Sequence, residues 1–387
     1  MINAENMDRS NYKRLGDYIR SVDVRNRDLA VTNLLGVSIS KTFIPSIANT
    51  IGTDMSTYKV VEPYQFAYGP VTSRNGDKIT FALYKGTEKC IISQAYETFE
   101  IVDKEQLDPD YLMMWALRPE FDRYARFKSN GSAREIFSWD EMCEVYLPVP
   151  DIATQRRIVK EYQNIQGRIS SNQRSIQLAL DAIIALHKES FGAVTDVQAN
   201  PNGWNKTSLG EIADFISRGM TPKYDDNSNE VILGQTCVRN GIVTLANART
   251  HKVGPKNEKR IFKEDILINS TGEGSLGRVG IVLFDCPNVS FDTHITVVRT
   301  ADKDMQNYIA YNLIQRQSEI EEMAEGSTGQ TELPRDTVRK IEVLLPPHEL
   351  IKEFARRSRI ISSIIYPLVR ENSCLNSMMQ LLLAKMS

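Results

Sequence analysis

The 387-residue sequence has no run of about eighteen apolar residues, so no stretch is expected to cross a membrane as a helix. Its five cysteines, Cys90, Cys143, Cys237, Cys286 and Cys374, stand singly, with no CxxC pair and no nearby histidine. Neither a disulfide framework nor a zinc site is indicated, and the thiols read as buried or inert. The four histidines, His187, His251, His294 and His348, are isolated from obvious nucleophiles and paired carboxylates, which leaves no catalytic constellation to build on. Basic excess is missing too. A net charge of -2 is not that of a protein announcing itself as a nucleic-acid binder, so phosphate contacts would need local patches or a basic partner. The first residues, Met1 to Asn11, are too polar and acidic for a signal peptide, and the expected location is cytoplasmic.

What is present is a long periodic stretch, Asp151 to Phe191. Apolar and small residues recur at Ile158, Tyr162, Ile165, Ile169, Asn172, Ile176, Ala179, Ile183 and Leu186, a strict four-three alternation that predicts a coiled-coil seam. Prolines at 148 and 150 exclude helix before it, Asp151 can cap its first turn, and Gly192 can end it. The same alternation returns at Phe354, Ser358, Ile361, Ile365, Leu368, Asn372, Leu375, Met379 and Leu382, again entered through prolines, Pro346-Pro347. Each helix would be roughly 60 Å long at 1.5 Å per residue. If they lie antiparallel with Asn172 facing Asn372, Ile183 falls near Ile361 and Ser190 near Phe354; a buried seam Asn sacrifices stability but fixes register. Pro367 should kink the second helix. The alternative is two helices, each packed only on its own domain.

The chain also repeats itself at longer range. Leu15-Gly16-Asp17 matches Leu209-Gly210-Glu211, alternating strands are expected at Tyr96 to Val102 and Thr293 to Arg299, and short helices at Tyr111 to Leu117 and Tyr308 to Arg316. Gly131-Ser132 and Gly326-Ser327 each precede a polar turn and an apolar strand that runs into the proline gate. The expected fold is therefore α+β, with two tandem globular domains separated by two long antiparallel coiled-coil helices and a pseudo-twofold internal repeat. The expected segments are a tail at 1–12, a first domain at 13–150, the central helix at 151–191, a linker at 192–206, a second domain at 207–347 and the C-terminal helix at 348–387.

This order of elements resembles the specificity subunit of type I restriction-modification systems. The residues that carry the resemblance are Leu147-Pro148-Val149-Pro150 with Gln155-Arg156-Arg157-Ile158-Val159, then Leu344-Leu345-Pro346-Pro347. To these are added Leu209-Gly210-Glu211-Ile212 with Gly219-Met220-Thr221-Pro222, and Phe262-Lys263-Glu264-Asp265-Ile266-Leu267 before a Gly-rich turn. Two features depart from the pattern: the second junction reads His348-Glu349-Leu350-Ile351-Lys352 in place of Gln-Arg-Arg, and Pro367 interrupts the second helix. The resemblance implies a non-catalytic subunit whose two target-recognition domains each read half of a split site in double-stranded DNA. The helices would set the spacer and hold two methyltransferase (modification) subunits that methylate adenine N6. It implies S-adenosylmethionine in those partners, ATP in the restriction-translocation subunits, and no cofactor, metal or membrane contact for this chain. Major-groove readers on such a rod would reach half-sites about one helical turn, ~34 Å, apart.

Candidate DNA contacts follow from donor chemistry on expected turns, each with a plainer reading beside it. In the first domain they are Lys41 and the loop residues Arg74, Asn75 and Lys78, which could equally be a solvated turn. Arg123 and Lys128 lie in a basic-aromatic run whose alternative is a helix with aromatics inward and cations in water. In the second domain Arg218, Thr221, Lys223 and Tyr224 surround a Gly-Pro turn, Arg239 follows in a strand-like stretch, and Arg278 ends the glycine-rich run Thr271 to Arg278. That run invites a phosphate-cradle reading but lacks the Lys-Ser/Thr ending of a Walker loop, and it reads as a loop between strands. Gln155, Arg156 and Arg157, off the seam on the first turns, are the candidates for partner docking; Asn172 and Asn372 are those for register.

The chain holds no Asn/Asp-Pro-Pro-Tyr/Phe motif and no Gly-rich loop after a Rossmann strand, so it is not expected to be the methyltransferase itself. A second class stays open, favoured by the near-neutral charge: a non-catalytic adaptor with two protein-binding domains on a coiled-coil spacer.

Overall fold

Prolines and caps set the boundaries of the longest element. In a computed structural model that describes residues 11–46, 52–73, 76–130, 135–192, 195–200, 202–252, 259–285, 287–326 and 331–386, helices α1 (Pro109–Ala116), α2 (Pro119–Lys128) and α3 (Trp139–Cys143) precede α4 (Ile152–Phe191), a single helix of 40 residues. Asp151 caps α4 by accepting from the Thr154 N–H at 3.0 Å, and the positive charge of these N–H groups holds the Asp151 carboxyl below the usual range. Helices α5 (Leu209–Ile212), α6 (Lys303–Gln315), α7 (Gln317–Glu322) and α8 (Arg335–Arg339) follow, then α9 (His348–Ser362) and α10 (Ile365–Ala384). The interruption between α9 and α10 has a local cause. Pro367 has no N–H to give the Ser363 carbonyl four residues earlier, and its ring crowds that carbonyl, so the helix breaks at Ser363-Ile364.

The chain divides into two units, residues 1–168 with 376–387, and residues 169–375. In the first, four strands pair antiparallel in the order Ile19–Ser21, Glu97–Ile101, Phe66–Tyr68, Phe81–Leu83. Their inner faces meet α1 and α2 in an aromatic core where Phe66 stacks on Phe99 at 4.8 Å and Phe121 meets the Phe81 ring edge-on at 5.4 Å. Val159 and Tyr162 from α4 and Leu383 and Met386 from the chain end complete that core. The antiparallel pair Tyr12–Arg14 with Tyr146–Pro148 leads directly into α4.

The second unit holds a larger sheet in the order Phe215–Arg218, Ile295–Arg299, Ile266–Asn269, Val279–Ile281, Gly241–Val243, Val238–Arg239. Only Gly241–Val243 and Val279–Ile281 run parallel within it. A second sheet, Arg249–Thr250, Val231–Leu233, Val289–Phe291, packs through Leu233, Phe291 and Val297. The pair Asn205–Ser208 with Glu342–Leu345 leads into α9.

Both units carry the same hydrogen-bond frame at their gates. Leu15 N–H donates to Val145 O at 2.8 Å and Tyr111 OH to Pro148 O at 3.1 Å; Leu209 N–H donates to Ile341 O at 2.9 Å and Tyr308 OH to Leu344 O at 2.9 Å. The four-three positions of α4 from Tyr162 on are its buried stripe, apart from half-buried Ile165. Within the second unit, Asn172 meets Asn372 while His187 and Phe191 meet Phe354, each ring pair 5.3 Å apart. These contacts advance along α4 as they retreat along α10 and α9, so the helices run antiparallel there; His187 and Phe191, rather than Ser190, take the place opposite Phe354.

Candidate nucleic-acid interface

In the second unit, strand alternation gathers loops at one end of the large sheet. Phe215–Arg218 and Ile266–Asn269 end there, while Val279–Ile281 and Ile295–Arg299 begin there. The loop after Arg218 is held down by Gly219 N–H on Ile295 O and Met220 N–H on Phe291 O, at 3.2 and 3.0 Å. Gly219 is required: a Cβ there would sit 2.0 Å from Phe291 O and 2.2 Å from Asp292 O. The glycine-rich run Thr271 to Arg278 joins two antiparallel strands, as its sequence suggests. Gly272 takes φ +109° and passes over the Gln235 side chain, whose Oε1 is buried without a hydrogen-bond partner among the described residues.

Around this end lie groups suited to base edges and phosphates. Thr271 Oγ1 and His294 Nδ1 are hydrogen-bonded at 2.6 Å, with the His294 ring exposed. Asp292 beneath them accepts from the His294 N–H, and burial pushes its carboxyl above the usual range. Arg218 reaches Leu333 O at 2.8 Å and the Glu332 carboxylate at 2.6 Å, and Arg278 Nη2 donates to Gly274 O at 2.5 Å. Thr221, Lys223 and Tyr224 are exposed beyond Met220. Arg239 is exposed on the edge strand of the large sheet. Asn247, whose Nδ2 donates to Thr236 O at 3.4 Å, ties the approach to Arg249–Thr250 to this same end. Arg249, which the sequence reading does not select, lies with its guanidinium 3.4 Å from the centre of the Tyr224 ring.

The first unit presents the corresponding end. Tyr68 leads into the loop that carries the candidates Arg74, Asn75 and Lys78; Lys78 is exposed, and Arg74 and Asn75 lie outside the described residues. Val71 and Asn130 both pair with Ile136, which brings the end of α2 beside this loop. Arg123 is exposed with an ion pair to Glu120, and Lys128 pairs with Glu141 at 3.3 Å while lying over the Tyr124 ring. Phe121 and Ala125 face inward and Arg123 outward, so the helix is amphipathic, but the plainer reading with all aromatics inward holds only in part. Phe127 beside them is 81% exposed.

Two expected contacts are corrected. Lys41 is buried: its amine pairs with Asp122 at 2.8 Å and donates to Ala116 O, and burial lowers its pKa. It anchors the turn between the antiparallel strands Leu35–Val37 and Phe43–Pro45 to α1 and α2 and has no free donor path to a phosphate. Gln155 is likewise fully buried, accepting from Asp108 N–H at 2.9 Å and donating to Gln106 O and Pro150 O. It ties α1 to the first turn of α4 and offers no docking surface. Arg156, paired with Glu105, and Arg157, paired with Glu161, are exposed on that turn. Asn172 Nδ2 donates to Asn372 Oδ1 at 3.0 Å. Among the thiols, Cys90, Cys143, Cys237 and Cys374 are free, burial pushes Cys90 up to about 11, and Cys286 lies outside the described residues.

Such an end, with glycine-tight loops over a mixed sheet and Arg, Lys, Thr and His at its surface, offers the kinds of donor that base edges and phosphates accept from. Residues 201–372 match the family model of the type I restriction modification DNA specificity domain. The chain is similar over 97% of its length, and 95% of the other's, to the S subunit of a type I restriction-modification system from M. genitalium, at 14% identity and a TM-score of 0.59. At that identity the likeness is one of fold. An HsdS subunit from Thermoanaerobacter tengcongensis aligns over 100% of this chain and 99% of its own, at 17% identity and a TM-score of 0.40. No curated protein matches the chain. Among the described residues, no helix is long and apolar enough to cross a membrane.

Proposed function

We propose that this chain is the non-catalytic DNA-recognition subunit of a type I restriction-modification complex, with each unit reading one half of a bipartite site. The observation that carries this reading is recurrence: the gate frame of the family-matched unit, Leu209 on Ile341 and Tyr308 on Leu344, has its counterpart in Leu15 on Val145 and Tyr111 on Pro148. A pseudo-twofold repeat joined by an antiparallel coiled coil accounts for that recurrence, for the buried stripe of α4 and for the Asn172–Asn372 pair. In this reading the helices act as a ruler for the unspecified spacer. Adenine-N6 methyltransferase subunits dock on their exposed faces, Arg156 and Arg157 among them, and supply S-adenosylmethionine; restriction-translocation subunits supply ATP hydrolysis. In the same reading, Lys78, Arg123, Lys128, Arg218, Thr221, Lys223, Tyr224, Arg239 and Arg278 are the proposed DNA contacts.

The test is single-molecule sequencing of genomic DNA from a methylation-free host that expresses this chain with its neighbouring methyltransferase subunit. Modified adenine in one split motif with a fixed gap is the expected result; an assembled complex that modifies nothing overturns it. A protein-binding adaptor is favoured by one feature, that Arg123, Arg126, Lys128 and Arg218 are already paired with carboxylates. Salt separates the two readings. DNA binding through several phosphates weakens steeply between about 50 and 200 mM salt, whereas an apolar protein interface does not.

A further inference from the structure

Resting on the DNA-recognition reading, we propose that Arg249 of the second unit reads a guanine in the major groove and that Tyr224 is the residue that positions it. Tyr224 pairs with His251 across two antiparallel segments, and Arg249 stands two residues before His251, so the two side chains are diagonal neighbours. The guanidinium carbon lies 3.4 Å from the ring centre. At that distance the guanidinium lies against the ring face, leaving its in-plane N–H donors pointing outward. Among the described residues those donors have no hydrogen bond or ion pair, in contrast to Arg218, Arg260, Arg299 and Arg359, each held by a carboxylate. Tyr224 is 47% exposed and Arg249 is exposed, so the stack lies at the surface rather than in a core.

The chemistry of the fork selects the ligand. Guanine O6 and N7 are two coplanar acceptors that match two parallel donors of one guanidinium, while adenine, cytosine and thymine each lack that pair. An arginine whose plane is fixed in advance loses less side-chain freedom on binding than a free one. Phosphate contacts have better candidates on either side. Lys223 and Lys252 are exposed and joined through the Lys252 N–H to Lys223 O bond of 2.7 Å, and their compact, freely rotating charges suit the DNA backbone. The pair also sits beside the loop end already described, through Asn247 on Thr236 and Met220 opposite Asp292.

The experiment uses the full chain assembled with its methyltransferase partner and reads the methylated motif for wild type, Arg249→Ala, Arg249→Lys, Tyr224→Phe and Tyr224→Leu. Wild type defines a motif. Arg249→Ala and Arg249→Lys are expected to relax one guanine position in one half-site by about 5- to 150-fold, with the other half-site and the spacer unchanged. Tyr224→Leu should relax the same position, and Tyr224→Phe, which keeps the ring, should restore it. Duplex binding against salt and a thermal melt accompany each variant. If Arg249→Ala weakens all sequences equally and lowers the salt slope by about one, Arg249 holds a phosphate and the proposal is wrong. If motif and affinity are both unchanged, Arg249 does not touch DNA. Failure of the underlying reading looks different: wild type itself gives no motif and no salt-dependent duplex binding.

Discussion

Asn172 and Asn372, two hundred residues apart in sequence, share a hydrogen bond of 3.0 Å between α4 and α10. Asn172 is almost fully buried, so its amide has few alternatives to this partner. Asn172→Leu alone removes the hydrogen bond between the two amides and should lower stability by about 1 kcal/mol. Asn172→Leu with Asn372→Leu should recover that loss or exceed it, at the cost of register. Thermal melts of the single and double variants measure the first effect. Engineered disulfides placed for the native register and for one heptad off measure the second: only the double variant should form both.

Gln155 is the junction between the first unit and its helix. Gln155→Ala leaves Asp108 N–H, Gln106 O and Pro150 O without their partner in a buried site, and a loss of about 2–3 kcal/mol is expected in urea unfolding. Arg156→Ala, one residue on, should leave the unfolding midpoint where it was. Partner binding should respond in the opposite order, weakened by Arg156→Ala in pull-downs with the methyltransferase subunit while stability holds.

These two neighbours mark how far the sequence could be read. Helix ends and the buried stripe were legible because their causes are local: prolines at 148 and 150, the Asp151 cap, and the four-three spacing that places Ile169, Ile176 and Ile183 on one side. The break before α10 was legible in the same way from Pro367. What Gln155 does depends on Asp108, 47 residues away, and what Lys41 does on Asp122 and Ala116. No periodicity records such partners, so both polar residues looked like surface. Arg249 was missed for the converse reason: an isolated arginine acquires meaning only when strand pairing brings the Tyr224 ring beneath it. The strands also proved shorter than their apolar runs. The expected strand from Tyr96 to Val102 is formed over Glu97–Ile101, one residue short at each end.

Asp265, in the segment Phe262 to Leu267, is fully buried and held by a two-pronged Arg299, both bonds 2.6 Å, and by the Phe262 N–H at 2.7 Å. Burial pushes its carboxyl up and Arg299 pulls it down. Arg299→Leu therefore leaves a buried carboxyl without its cation and should cost about 3–5 kcal/mol, whereas Asp265→Leu with Arg299→Leu should be far milder. Chemical denaturation of the three variants, read as a double-mutant cycle, checks the asymmetry.

His187 gives the second unit an acid sensitivity. Its ring is fully buried, stacked on Tyr308 at 5.4 Å and edge-on to Phe191 and Phe354, and neither ring nitrogen has a hydrogen-bond partner among the described residues. Burial lowers its pKa from 6.5 to about 3. The folded state thus keeps the neutral ring while the unfolded chain takes up a proton below its ordinary pKa. Stability from this group is unaffected above pH 6.5 and falls as pH drops from 6.5 towards 3, by up to about 1.4 kcal/mol per pH unit. His187→Phe, similar in shape and unable to titrate, should flatten that part of the stability profile. Urea midpoints measured from pH 7.5 to 4.5 check it; parallel profiles for the two proteins would assign the acid loss to other groups.

Gly219 and Gly274 separate close packing from loop strain at the proposed DNA-facing end. A Cβ on Gly219 would meet Phe291 O at 2.0 Å, backbone that cannot swing aside, so Gly219→Ala must lift the Gly219–Thr221 loop off the Phe291–His294 segment. A Cβ on Gly274 meets nothing within 4 Å, and only its φ of +65° opposes a side chain. Gly274→Ala should therefore cost about 1 kcal/mol of stability and little else. Gly219→Ala should abolish recognition by the second unit, because the same shift carries Thr221, Lys223 and Tyr224 away from Thr271 and His294. In the methylation assay that appears as loss of one half of the motif's definition while the other half is still read; equal behaviour of the two variants would mean that the loop is not part of the DNA face.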